Sequence, residues 1–237
     1  VEGKKYTDFT GGYGCLNVGH SNTEVIRNLK KQISEIIQPS NIFYNIPQVE
    51  LAELLCKISG FGEKVFFANS GAEAVEGAIK LARKYSTDKY NKERYEIITF
   101  NNSFHGRTLG ALAATAQAKK QSMFEPLLTG FKYADLNDIE SVRNNINTNT
   151  CAVIIELIQG EGGINVCNKE FISELREICK ENDILFIIDE IQTGFSRTGS
   201  IFAYQQYGFS PDIMVVAKSL GGGMPIGAII STNEICS

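Results

Sequence analysis

Seven short runs of apolar, β-branched and aromatic residues recur along the chain and predict strands. Helical patterns separate most of these runs from one another. Continuous apolar strands that alternate with helices are typical of a mainly parallel sheet covered on both faces. The pattern therefore predicts an α/β fold. The runs are "KVFFANS" (64–70), "YEIITF" (95–100), "GFKYA" (130–134), "CAVIIELI" (151–158), "ILFIIDE" (184–190), "IMVVAK" (213–218) and "IGAIIST" (226–232).

Amphipathic segments predict the helices between the strands. "AEAVEGAIKLARKY" (72–85) places its apolar residues on one face, with acidic residues in its first turns and basic residues in its last, as the helix dipole favours. "NKEFISELREICKEND" (168–183) predicts another helix, with Asn168 as its cap. "SLGGGMP" between the last two strand runs is too short for a crossover helix, so we expect those strands to pair antiparallel in a mixed sheet.

The first 45 residues differ from the rest of the chain. They contain a glycine-rich piece, "TGGYGCLNVGH", and a predicted helix, "NTEVIRNLKKQISEI". We expect residues 1–45 to form an N-terminal arm or a partial small domain, and residues 46–237 to form the main ligand-binding domain. The chain begins without Met and stops soon after its last strand run, so we expect it to be cut at both ends.

Charge and composition narrow the classes of function. The net charge is −4 and no block of like charges is present, which argues against a nucleic-acid surface and favours small-molecule chemistry. No apolar run approaches the roughly 18 residues of a membrane span and no signal peptide opens the chain, so we expect a soluble cytoplasmic protein. Six scattered cysteines without a C-x-x-C pair, and only two histidines, favour reduced thiols and no metal centre.

Ligands of open α/β sheets bind beyond the carboxyl ends of the strands, and small residues follow the first strand there. "NSGAEA" (69–74) leads directly into a predicted helix. Free N–H groups at a helix start, with no bulky side chain in the way, suit a phosphate. An ordinary turn capped by Ser70 or Asn69 explains the stretch equally well at this point.

Two charged side chains end later strands. Asp189 follows "ILFII", but the chain has no P-loop for a nucleotide-bound magnesium and no dinucleotide fingerprint, so the carboxylate needs another cation or is a surface residue. Lys218 ends "IMVVA"; its amine either becomes nucleophilic through desolvation or extends into solvent. A phosphate site, a carboxylate and a nucleophilic lysine together match pyridoxal 5'-phosphate (PLP), which has a phosphate, a pyridine nitrogen and an aldehyde.

At this point the chain resembles a known family. It is similar over essentially its whole length to the class III (ω-amino acid) aminotransferases of fold type I, and most to the acetylornithine group. The resemblance implies the large domain of fold type I PLP-dependent transferases, with a mixed, mostly parallel seven-stranded sheet between helices and a C-terminal small domain absent beyond Ser237. The matching stretches are "SNIFYNIPQVELAELL", "FFANSGAEAVEGAIKLARKY", "NNSFHGRTLGALAATAQ", "IIELIQGEGGI", "IIDEIQTGFSRTG" and "PDIMVVAKSLGGGMPIGA".

The resemblance implies a role for individual residues. Lys218 matches the lysine that bonds to the cofactor and moves the substrate proton, Asp189 matches the partner of the pyridine nitrogen, and Gln192 matches the partner of the phenolic oxygen. Phe104 matches the aromatic ring stacked on the cofactor, and Arg107 and Glu161 match substrate-binding positions. The cofactor positions implied are Ser70, Gly71, Ala72, Phe104, Asp189, Glu190, Ile191, Gln192 and Lys218.

The implied activity is PLP-dependent transfer of the terminal amine of N2-acetyl-L-ornithine to 2-oxoglutarate, in arginine biosynthesis, by a homodimer. Ornithine, succinylornithine and 4-aminobutyrate aminotransferases remain alternatives, as does a truncated, non-catalytic module that retains the fold. Glu156-Leu157 replaces the family's usual Glu-Pro, and Ser21-Asn22 replaces His-Pro. We interpret both as scaffold changes that touch no cofactor-matching position.

Overall fold

The computed structural model describes residues 2–90 and 93–237. Its helices are α1 (Gly11–Gly14), α2 (Thr23–Glu35), α3 (Ile46–Ser59), α4 (Gly71–Lys89), α5 (Leu109–Ala114), α6 (Ala118–Gln121), α7 (Ile139–Asn145) and α8 (Lys169–Glu181). Its strands are β1 (Lys64–Ala68), β2 (Glu96–Phe100), β3 (Phe131–Ala134), β4 (Thr150–Ile155), β5 (Ile158–Gln159), β6 (Asn165–Val166), β7 (Leu185–Asp189), β8 (Ile213–Val216) and β9 (Gly227–Ser231). Short 3₁₀ turns span Ala203–Gln206 and Lys218–Gly221.

Seven strands form one mixed sheet in the order β1-β9-β8-β7-β4-β2-β3. β9 pairs antiparallel with both β1 and β8, and the other neighbours are parallel. All seven predicted runs contribute a strand, so the predicted α/β class and the antiparallel last pair are confirmed. The run 151–158 was too long, because β4 ends at Ile155 and Ile158 belongs to a separate two-stranded ribbon with β6.

The sheet is buried on both faces, which explains its continuous apolar runs. Every residue of β4, β7, β8 and β9 is buried. Alternate side chains enter opposite clusters: Phe186 and Ile188 of β7 pack on one side, Leu185 and Ile187 on the other. The apolar faces of α8 and α4 cover the two sides, respectively. This layering leaves the carboxyl ends of the strands at one accessible edge.

The helix starts differ from one another in their capping. Ser70 caps α4, since its Oγ accepts a hydrogen bond from the N–H of Glu73 at 3.2 Å. Asn168 precedes α8 as predicted, but its side chain makes no capping hydrogen bond. Asn168 thus occupies the predicted N-cap position without a side-chain cap. Within the described residues, no helix has both the length and the apolar character that crossing a bilayer requires.

The glycine-rich N-terminal segment lies against the main sheet unit. The carbonyl of Gly14 accepts a hydrogen bond from Oγ of Ser219 at 2.9 Å, and Nδ2 of Asn17 donates to the carbonyl of Phe195 at 2.9 Å. By contrast, α2 buries none of its residues. The division of the chain after residue 45 stays a prediction.

Candidate active site

A cavity of about 850 Å³ opens at the carboxyl edge of the sheet. β1, β2, β4, β7 and β8 all run toward this edge, because β1 is antiparallel to β9 and β9 is antiparallel to β8. The fold therefore brings together residues that are far apart in sequence. Of the predicted site residues, the cavity is lined by Ser70, Gly71, Ala72, Phe104, Arg107, Glu161, Asp189, Ile191, Gln192 and Lys218.

Lys218 lies two residues beyond β8 and begins a 3₁₀ turn, so it does not end the strand itself as predicted. Its φ of +46° is in the left-handed region, which costs a residue other than glycine about 1–3 kcal/mol and is concentrated at functional sites. Its side chain is half-buried, and Nζ donates a hydrogen bond to Oε1 of Gln192. The turn thus places the Lys218 amine in the cavity wall, beside the side-chain amide of Gln192.

Asp189 ends β7 and is 3 % exposed. Its Oδ2 lies 2.8 Å from Nδ1 of His105, and its Oδ1 accepts a hydrogen bond from the N–H of Ile191 at 3.0 Å. Burial lowers the pKa of His105, but the hydrogen bond and charge of Asp189 and the charge of Glu156 outweigh burial and raise it. His105 is therefore suited to donate a hydrogen bond to Asp189 and to hold its carboxylate in one orientation.

Glu156 follows β4 and is a cavity residue that sequence reasoning missed. Ile155 pairs with Ile188, which sets Glu156 beside Asp189. Its Oε2 accepts a hydrogen bond from the N–H of Phe104 at 2.9 Å. The departure from the family's Glu-Pro lies at the next residue, Leu157, and its interpretation as a scaffold change stays a prediction. Burial raises the pKa of Glu156 to about 7, although the charge of His105 opposes this effect.

The start of α4 faces the cavity with little side-chain bulk. The N–H groups of Gly71 and Ala72 precede the first hydrogen bond that a helix makes within itself, so both are free to bind an anion. A Cβ on Gly71 would lie 2.9 Å from Cδ1 of Ile191 and 3.3 Å from Cβ of Ala217. Only glycine allows the helix start to approach the segments that carry Asp189 and Lys218 so closely.

The remaining wall combines an aromatic ring with charged groups. Phe104 lines the cavity, while Nζ of Lys120 lies 4.2 Å from the ring centre and 3.2 Å from Oε2 of Glu161. Lys120 itself does not line the cavity. Arg107 is exposed and forms no hydrogen bond or ion pair with any described residue, which leaves its guanidinium available for a carboxylate.

Glu190 is the one predicted site residue that the structure places away from the cavity. Its Oε1 accepts a hydrogen bond from the N–H of Tyr204 at 2.9 Å, and Thr193 Oγ1 donates to its Oε2. Consecutive side chains of extended backbone point to opposite sides, so Asp189 faces the cavity and Glu190 faces the core. Burial raises the pKa of Glu190 to about 7. In the described part of the chain, no group of three or more His, Cys, Asp and Glu residues could hold a metal ion.

Comparison with known proteins identifies the protein family to which the chain belongs. Residues 1–237 match the family model described as aminotransferase class-III, so the chain belongs to that family and the predicted resemblance is confirmed. It is 53 % identical over 233 residues to the acetylornithine aminotransferase of Caldanaerobacter subterraneus subsp. tengcongensis, and the match covers 98 % of this chain and 59 % of that protein. The chain thus spans less than two thirds of this relative.

Two solved structures share the fold. The ornithine aminotransferase of Toxoplasma gondii, in which PLP partly occupies the active site, superposes with a TM-score of 0.94 at 31 % identity, over 100 % of this chain and 57 % of that one. The N-acetylornithine aminotransferase of Stenotrophomonas maltophilia gives a TM-score of 0.86 at 36 % identity, over 99 % of this chain and 59 % of that one. Both likenesses agree with the predicted large-domain architecture.

Proposed function

We propose that the chain is the PLP-binding part of an ω-amino acid aminotransferase. The observation that carries the proposal is that Lys218, Asp189 and the free start of α4 line one cavity. These groups fit the three reactive parts of the cofactor: an amine for the aldehyde, a carboxylate for the pyridine nitrogen and N–H donors for the phosphate. Gln192 and Phe104 complete the fit beside the phenolic oxygen and the ring face.

The bound cofactor would supply an aldehyde that bonds to amines and a ring that accepts electrons when a C–H bond breaks. Asp189 would hold a proton on the ring nitrogen through its negative charge, and His105 keeps that carboxylate oriented. Nζ of Lys218 would take the proton from the substrate carbon that carries the amine and deliver it to the carbon of the cofactor aldehyde. Arg107, whose guanidinium has no partner among the described residues, would bind a substrate carboxylate.

For the substrates we propose N2-acetyl-L-ornithine as amino donor and 2-oxoglutarate as acceptor, in arginine biosynthesis. The names of the Caldanaerobacter and Stenotrophomonas proteins support this choice. Ornithine is the second candidate, because the Toxoplasma structure superposes with a TM-score of 0.94. We also propose a cytoplasmic homodimer, and a division between an N-terminal segment, 1–45, and the PLP-binding domain, 46–237.

Covalent trapping tests the cofactor proposal. The purified chain is mixed with PLP, treated with borohydride to make a lysine linkage permanent, and digested for mass spectrometry. We expect the added mass on the peptide that contains Lys218, and its loss in Lys218→Ala. Lys119→Ala removes an exposed lysine and serves as control. Labelling that is spread over surface lysines, or that persists in Lys218→Ala, would refute the proposal. Rates with N-acetylornithine, ornithine and 4-aminobutyrate then rank the donors, and an inert N-acetylornithine would exclude the first choice.

A further inference from the structure

Glu156 lies where two loops of the cavity wall meet. Its Oε2 accepts the N–H of Phe104 at 2.9 Å and its Oε1 accepts the N–H of Gly160 at 3.3 Å. Phe104 belongs to the loop after β2, and Gly160 directly precedes Glu161 in the loop after β5. The buried carboxylate of Glu156 therefore links the loop that carries Phe104 to the loop that carries Glu161.

The same carboxylate belongs to a buried row of ionisable side chains. Glu156, His105 and Asp189 are 6 %, 2 % and 3 % exposed, and Nδ1 of His105 lies 2.8 Å from Asp189. Nε2 of His105 is also buried and has no hydrogen-bond partner among the described residues. A protonated imidazole in this position depends on nearby negative charge, and the two carboxylates provide it.

Other ionisable groups also surround this row. Cys167, which follows β6, donates its Sγ–H to the carbonyl of Glu156 at 3.4 Å. Burial, with the charge of Glu156, raises the pKa of that thiol to about 12, so it is neutral at physiological pH. Arg107, Glu161 and Lys218 face the cavity from its walls.

We propose that Glu156 is a positioning residue of the site, which aligns the Phe104 and Gly160 loops and stabilises the protonated, hydrogen-bond-donating form of His105 against Asp189. This inference rests on the proposed function, because Phe104 and Asp189 are the groups expected to contact the cofactor. The geometry gives the reason that an acid is needed. A carboxylate accepts both N–H bonds, whereas an amide of the same shape offers one oxygen and turns its NH₂ toward the second N–H.

The charge part of the proposal is testable without cofactor. The chain has only two histidines, so ring titration by NMR gives one signal for buried His105 and one for exposed His20. In Glu156→Gln we expect the titration midpoint of His105 to fall by about one pH unit, because a stabilising charge is lost, while that of His20 stays constant. Glu190→Gln is the matched control, since it removes a buried carboxylate that faces the other side of β7.

A second variant keeps the test decisive if Glu156→Gln does not fold. Glu156→Asp retains the charge but shortens the reach to the two N–H groups, so the His105 midpoint should stay near the wild-type value while loop alignment is lost. Alignment is measured as the dissociation constant for PLP, followed by absorbance. We expect affinity to fall about tenfold in each Glu156 variant, the cost of one hydrogen bond to a charged group.

The outcomes separate this inference from the proposed function. If the wild-type chain binds no PLP, the proposed function fails, while the His105 titration still tests the role of Glu156. If PLP binds but its affinity is unchanged in both variants, Glu156 does not align the loops. A His105 midpoint in Glu156→Gln that equals the midpoint in Glu190→Gln would overturn the charge part.

Discussion

The loop that presents Arg107 should depend on Glu76, a residue of α4. Oε1 of Glu76 accepts hydrogen bonds from Oγ1 of Thr108 at 2.6 Å and from the N–H groups of Gly110 and Ala111 at 2.8 and 3.1 Å. Thr108, the residue before α5, makes no capping bond with its own side chain. Glu76 therefore serves as the cap and as the negative charge at the positive end of α5.

The contacts of Glu76 allow an estimate of how much stability is lost when this cap is removed. Glu76→Ala leaves the buried N–H of Gly110 without its acceptor, which costs about 1–3 kcal/mol, and removes a favourable dipole interaction of about 0.3–1 kcal/mol. We therefore expect the free energy of unfolding to fall by about 2–3 kcal/mol in urea titrations. Glu76→Gln keeps one acceptor oxygen, so it should lose about 1 kcal/mol.

The control is Glu177→Ala, which removes only an exposed pair with Lys180 and should change stability by less than about 0.5 kcal/mol. A second readout follows Arg107 itself: the affinity for the dicarboxylate 2-oxoglutarate should fall in Glu76→Ala more than the affinity for PLP. If Glu76→Ala matched Glu177→Ala in stability, the capping argument would be refuted.

Three further changes test other contacts. Gly71→Ala should weaken PLP binding about tenfold, because the new Cβ would lie 2.9 Å from Ile191 and displace the helix start. Lys120→Met should lower the unfolding free energy by about 1 kcal/mol through loss of its contact with the Phe104 ring and of its ion pair. Glu190→Gln should flatten the pH dependence of stability. In the wild type, the folded-state pKa of Glu190 is about 7 and exceeds the usual value of 4.5. The free energy of unfolding of the wild type should therefore fall by about 3 kcal/mol as the pH rises from 4.5 to 7.

Each of the three substitutions is compared with a control in a binding or unfolding assay. Absorbance titration with PLP follows Gly71→Ala, with Gly208→Ala as a control outside the cavity, where the φ of +73° adds backbone strain but a new Cβ meets no atom within 4 Å; equal affinities would contradict the argument. Thermal unfolding compares Lys120→Met with Lys119→Met, and equal losses would show that the ring contact contributes nothing. Urea titrations of wild type and Glu190→Gln at several pH values should diverge in slope between pH 4.5 and 7, and parallel curves would contradict burial as the cause.

The strands and the cavity residues at the strand ends could be predicted because their information is local. The inner strands β4, β7, β8 and β9 are buried on both faces, so a continuous apolar run marks each of them. For β4, β7 and β8, the strand end stands at the ligand-binding edge. Asp189 and the Gly71 turn were found in this way. The family resemblance also implied Glu190, but the structure turns this carboxylate toward the core, because consecutive side chains of extended backbone face opposite sides.

His105 and Glu156 were missed because their partners are distant in sequence. His105 meets Asp189 across 84 residues, and Glu156 meets the N–H of Phe104 across 52. No periodicity links such positions. One local signal was available: Glu156 follows the mostly apolar run of β4 as Asp189 ends β7, and neighbouring parallel strands bring such ends together.

The N-terminal segment shows why the predicted division after residue 45 does not isolate the site. Tyr13 and Cys15 line the cavity, and the carbonyl of Gly14 between them is held by Ser219, the residue after Lys218. A Cβ on Gly14 would lie 3.1 Å from Nε2 of Gln192, whose Oε1 accepts the lysine hydrogen bond. The N-terminal segment therefore packs against Gln192, which binds the Lys218 amine, and against Ser219, which follows Lys218. Residues from both predicted parts of the chain form the cavity.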